Sequence, residues 1–257
     1  MDAETLLKNC EPQLALIEVK KALRKEPSDL SLRFLLFQLL MLLEDWEKAV
    51  SQMELISEID SSKSALNWQY SACINSELLR KEIFEGRKKP LIMGEPSDWI
   101  GLLIEAVSDE GESFKLLADS AYSKAQPASG TVNGESFDWI ADCDSRLGPV
   151  FEIIAHGKYY WVEFDKIAVI NVEQVAELKD LVWLNAKIEL KNGGELSCVI
   201  PSRYPQTVQT QTPELILSRK TEWREILQPY YKGLGQKMFC TDSNEYALFD
   251  IEEIVFN

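Results

Sequence analysis

Along the first 85 residues, apolar positions recur every three or four residues, the spacing of helices that bury one face. The pattern predicts helices over 2–9, 12–25, 28–43, 45–59 and 64–85, separated only by Pro, Ser, Asp or an acidic pair. The third starts clearly, with Pro27 ahead of Ser28 and Asp29, either of which can cap. Its interior, LRFLLFQLLMLL, is apolar on nearly every face, so it must be covered on more than one side. Stacked helical hairpins supply such cover. A repeat supports them: Ala15 and Ala49 lie 34 residues apart, the period of tetratricopeptide-type hairpins. Around them PQLAL (12–16) aligns with WEKAV (46–50), Val19 with Met53 and Ala22 with Ile56. The full consensus is absent and two repeats are the most that fit, so the segment reads as tetratricopeptide-like.

Two further helices are predicted over 97–107 and 112–125, split at Asp109-Glu110-Gly111. At Gln126 the pattern becomes short and alternating. Strands are expected over 151–155 and 158–164 around a His156-Gly157 turn, and over 166–172. A second hairpin, 186–190 with 195–200, turns at Asn192-Gly193-Gly194, and 214–219 and 246–256 supply late strands. Helices first and strands afterwards argue an α+β fold: amino-terminal tetratricopeptide-like helical hairpins followed by a mainly antiparallel β-rich region. The basic run Arg87-Lys88-Lys89-Pro90 marks a linker. The division expected is a helical domain over 1–86, a linker with two further helices over 87–126, and an α+β domain over 127–257.

Charge narrows the partners. With 42 acids against 27 bases the net charge is −15, which repels a phosphate backbone and favours basic patches of other proteins. MDAETLLKNC lacks the charged-then-apolar run of a signal peptide. The most apolar stretch, 34–43, is about half the length a bilayer span needs. A soluble, cytoplasmic protein is expected. Five cysteines, widely spaced and without a Cys-x-x-Cys pair, predict reduced and mostly buried thiols.

Candidate chemistry concentrates in FDWIADCDSRLGP (137–149), where Asp138, Asp142, Asp144 and Arg146 alternate with Phe137, Trp139, Ile140 and Leu147. Three aspartates suit Mg²⁺ or Ca²⁺, and a carboxylate-based metal-dependent enzyme centred on Asp138, Asp142 and Asp144, with Glu152 nearby, is the alternative reading. Against it, no Ca²⁺ loop is present and Arg146 competes for the same oxygens. A structural network of Asp138, Trp139, Asp142, Asp144 and Arg146 fits better, since arginine's planar fork pairs carboxylates bidentately. His156 is the single histidine, so neither a zinc cluster nor a Ser–His–Asp set can form on it. GLGQK (233–237) lacks the setting of a phosphate loop, and its glycines read as turns. In IPSRYP (200–205), Arg203 sits between two prolines, placed to stack on Tyr204. Arg203, Tyr204 and Trp223 are the candidate partner contacts, because interfaces favour Trp, Tyr and Arg.

The stretch 137–149, together with YYWVEF (159–164), DLVW (180–183), IPSRYP (200–205), RKTEW (219–223), GLGQK (233–237) and PLIMGEPSDWI (90–100), resembles the ImpE/TagJ family. These are accessory proteins of bacterial type VI secretion systems. The resemblance covers almost the whole chain. It implies a non-enzymatic adaptor without cofactor or metal. The implied partner is the amino-terminal helix of the contractile sheath's small subunit, with a further link to the AAA+ ATPase that recycles contracted sheath.

Overall fold

Helices occupy the first half of the computed structural model, which describes residues 2–257. They are α1 (Ala3–Lys8), α2 (Pro12–Lys25), α3 (Leu30–Leu42), α4 (Trp46–Ile59), α5 (Ser64–Phe84), α6 (Ile100–Ala106) and α7 (Gly111–Tyr122). Local chemistry sets their starts. Asp2 and Asp29 cap α1 and α3 by accepting from the amides of Thr5 and Leu32, at 2.8 and 2.9 Å. Pro12 opens α2, where its missing N–H costs nothing. As its composition demands, α3 is covered on several sides. It packs between α2 and α4, and its buried run Leu36–Leu42 also meets the segment Leu178–Leu181 from the second half of the chain.

Strand β1 (Leu91–Ile92) lies between α5 and α6, and the second half carries β2 (Gly130–Val132), β3 (Glu135–Phe137), β4 (Ile140–Asp142), β5 (Val150–Ala155), β6 (Lys158–Glu163), β7 (Ile167–Val172), β8 (Trp183–Leu190) and β9 (Glu195–Pro201). A short helix α8 (Pro213–Ile216) follows, then β10 (Thr221–Leu227), β11 (Tyr230–Gly235), β12 (Met238–Thr241), β13 (Glu245–Ala247) and β14 (Glu253–Phe256). Nine strands form one sheet in the order β1-β6-β5-β9-β8-β7-β14-β2-β3. Every pairing in it is antiparallel except β1 with β6. A hairpin β10-β11 and a three-stranded sheet β13-β12-β4 complete an α+β fold.

Strand alternation splits the core in two. From β5, Val150 and Ile154 face the helices and join one apolar cluster with Leu36–Leu42, Ile83, Phe84, Tyr159 and Trp161. Phe151, Ile153 and Ala155 point the other way, into a second cluster with Phe164, Ile170, Phe239 and Ile254. The helices and the sheet thus share one interior.

Three expectations need correction. Residues 214–219 hold α8 and not a strand, because Pro213 starts a helical turn and cannot donate to a ladder. The segment 246–256 is broken by a helical turn over Leu248–Asp250. The glycines of GLGQK lie within strand β11, while the β10-β11 turn falls around Pro229. A Cβ on Gly233 would sit 2.3 Å from the Tyr204 ring, and Gly235 has φ +90°. Close approach at the first and backbone sign at the second call for glycine.

Candidate functional site

Glu152 belongs to the helix-facing side of β5 and is fully buried, so it requires partners. Helix α5 provides one. Arg80 lies on the same helical stripe as Ile83 and Phe84 and meets Glu152 through two parallel bonds, Nε–Oε1 at 2.6 Å and Nη2–Oε2 at 2.9 Å. Lys237, also fully buried and located just before β12, supplies the other: its Nζ is 2.6 Å from Glu152 Oε2 and 2.7 Å from Asp142 Oδ2. Tyr159 donates to the same glutamate, and its hydroxyl accepts from the Trp161 indole at 2.6 Å. Asp142 also accepts from the Tyr204 hydroxyl at 2.8 Å and from the Asp144 amide at 2.9 Å. Asp144 in turn holds Arg146 bidentately, at 2.9 and 2.6 Å, and accepts the Gly233 amide at 2.9 Å. Three cations therefore face three carboxylates in the interior.

Electrostatics follow from this geometry. Burial pushes Glu152 up, but Arg80 and Lys237 outweigh it and hold the carboxyl well below the usual range. Asp142 has the single cation Lys237 and a like charge at Asp144. Burial prevails and pushes it up to about 6. Burial would also strip Lys237 of its proton, yet its two carboxylates keep its pKa above the ordinary lysine value.

The predicted site residues divide clearly. Asp142, Asp144 and Arg146 meet in the buried network; Asp138 and Trp139 stand outside it, exposed where the chain passes from β3 to β4. The Asp138 side chain faces solvent while its amide donates to Asp242 at 2.7 Å. The three aspartates thus do not converge, and every oxygen of Asp142 and Asp144 already accepts from a cation or an N–H or O–H donor. Among the described residues, no group of three His, Cys, Asp or Glu is placed to hold a metal ion. Arg203 does not stack on Tyr204. Both are buried, and Arg203 donates at 2.8 Å to the carbonyls of Leu42, which ends α3, and of Ile216 in α8. Lys237 takes the place over the Tyr204 ring, 5.0 Å from its centroid. Trp223 lies beside that ring on partly exposed β10.

Sequence reasoning gave Arg80 and Lys237 no role. A signal was present: Arg80 interrupts an apolar helical stripe, as Glu152 interrupts the apolar strand VFEIIA. Two surface clefts flank these elements. One, of about 380 Å³, lies between α5 and the sheet and is lined by Trp68, Cys73, His156 and Cys198. The other, of about 410 Å³, opens above Asp142 between Tyr122, Trp139, Pro149 and Tyr230, with Cys143 and Cys240 in its wall. No helix among the described residues is long and apolar enough to cross a membrane.

Known proteins match this chain over part or all of its length. A family model described as ImpE protein matches residues 134–255. The crystal structure of protein VPA1032 from Vibrio parahaemolyticus superposes with a TM-score of 0.91 over 99% of this chain and 97% of that one; at 23% identity, it shares the fold. The type VI secretion system accessory component TagJ of Pseudomonas aeruginosa is 38% identical over 260 residues, covering 100% of this chain and 91% of that protein. With identity of that level sustained from end to end, the chain belongs to the ImpE/TagJ family.

Proposed function

We propose that the protein is a cytoplasmic, non-enzymatic accessory component of a bacterial type VI secretion system. In this reading it binds the amino-terminal helix of the contractile sheath's small subunit and influences sheath assembly or recycling, with a link to the AAA+ recycling ATPase. The observation that carries it is the end-to-end identity with a protein named as such a component. The physical character of the chain supports it. A net charge of −15 attracts basic flanks. The helical half also carries exposed apolar side chains at helical spacing, Leu14 with Ile17 on α2 and Leu55 with Ile59 on α4. Such stripes are what an amphipathic helix docks against.

The tetratricopeptide-like segment 1–86 is the docking module in this reading, 87–126 connects it, and the body over 127–257 is tied to it through Arg80 and the buried network. Exposed Trp223 is the accessible member of the candidate contact set, since Arg203 and Tyr204 are committed internally. Titration calorimetry tests the proposal. A peptide of the sheath subunit's amino-terminal helix should bind one-to-one, with a negative heat-capacity change from apolar burial. Absence of heat with both the peptide and the intact subunit would refute sheath binding.

A further inference from the structure

Strands β4 and β12 pair with Ala141 opposite Cys240 and Asp142 opposite Phe239. Two residues on from Ala141, Cys143 therefore returns to the face of Cys240, and its amide is tied to the Met238 carbonyl at 3.0 Å. The two cysteines thus lie on one face of neighbouring strands although 97 residues separate them in the chain, and the Cys240 thiol donates to the Ala141 carbonyl at 3.6 Å. Both line the open cleft above Asp142, between Trp139 and Tyr230, and neither is fully buried. We propose that Cys143 and Cys240 form a redox-active thiol pair, oxidised to an intramolecular disulfide by exchange with a small-molecule disulfide entering that cleft.

The roles within the pair are unequal. Cys143 beside it lowers the pKa of Cys240, whereas Cys143 itself is raised, first by Cys240 and then by burial. Cys240 is the attacking thiolate. It forms a mixed disulfide with one sulfur of the oxidant and expels the other as a thiolate, which takes up a proton. Cys143 then loses its proton and attacks the Cys240 sulfur, closing the Cys143–Cys240 bond and releasing the second small thiol. Two protein thiols have given up two electrons and two protons, and the oxidant has become two thiols. The other cysteines lack this arrangement. Burial pushes Cys73 and Cys198 up to about 12. Cys10 accepts from Arg219 at 2.9 Å, far along the chain from either partner.

Full-length protein incubated with oxidised glutathione and mapped by mass spectrometry tests this. The expected product has lost two hydrogen masses, carries a Cys143–Cys240 cross-link, and is restored by dithiothreitol. Cys143→Ser should instead accumulate a glutathione adduct at Cys240, while Cys240→Ser should react at Cys143 at least tenfold more slowly. Oxidised parent in which both thiols remain free to alkylate after denaturation would overturn the proposal, whatever the variants do. Equal adduct rates in the two variants would overturn the assignment of Cys240 as nucleophile.

Discussion

Replacing Lys237 by methionine keeps most of the unbranched side chain and removes the ammonium with its charge and its donors, so packing changes little. The two carboxylates it bridges at 2.7 and 2.6 Å are left in an interior where all three side chains are fully buried. Breaking one side of such a pair costs about 3–5 kcal/mol. The two losses are unequal. Glu152 keeps the fork of Arg80, whereas Asp142 keeps only the Tyr204 hydroxyl and the Asp144 amide. The penalty therefore falls on Asp142, and its sign with pH can be worked out. Its folded pKa, already pushed up to about 6 against an ordinary 3.8, rises further without Lys237. A raised carboxylate pKa contributes stability at low pH that is lost as pH rises through the folded value. Urea denaturation should thus show Lys237→Met weaker than the parent by about 3–5 kcal/mol at pH 7.5. The gap should narrow at pH 5, as Asp142 takes up a proton in place of the lysine. Adding Asp142→Asn should recover part of the loss at pH 7.5. A gap under about 1 kcal/mol, well below what breaking a buried pair costs, would refute the reasoning, as would a gap that does not change with pH.

Arg146→Ala strands Asp144, which then retains only backbone donors, and should cost about 3–5 kcal/mol by the same mechanism; melting curves with and without Mg²⁺ or Ca²⁺ should coincide, and an unlowered melting point that rises with the ion would restore the metal reading. Gly233→Ala drives a methyl group into the Tyr204 ring and should lower stability by about 1–3 kcal/mol in chemical denaturation. Ala15→Leu and Ala49→Leu, both at fully buried positions, should each cost about 1–3 kcal/mol by overpacking, and parent-like melting of both would show that neither sits at a helix crossing.

The helical half was legible because its elements each bury a face and end at strong local signals: Asp2, Pro12, Asp29 and Pro27 stand where capping physics puts them. Strands β5, β6, β8 and β9 were legible from alternation and from turns such as His156-Gly157. Hairpin β10-β11 was not. Most of β10 is exposed, so its side chains carry no alternation to read. The site was legible where its members are close in the chain, as Asp142, Asp144 and Arg146 are. Asp138 and Trp139 shared that composition but not its interior, since a turn between two short strands puts them in solvent. Arg80 and Lys237 come from far along the chain. A charge on an apolar stripe says that a partner exists, and only the fold says which one.

The buried network also orders events in time. Arg80 and Glu152 are 72 residues apart, Lys237 and Glu152 are 85 apart, and Arg203 reaches back 161 residues to cap the end of α3. Contacts of such long range form late, because loop closure precedes any reward. During synthesis the helices emerge first, with Arg80 still hydrated. When β5 follows, it carries a glutamate whose second cation, Lys237, has yet to be translated. The interior can neutralise its charges only after Lys237 has left the ribosome. A chain stalled before residue 237 leaves Asp142 without its cation and Glu152 with only one of its two.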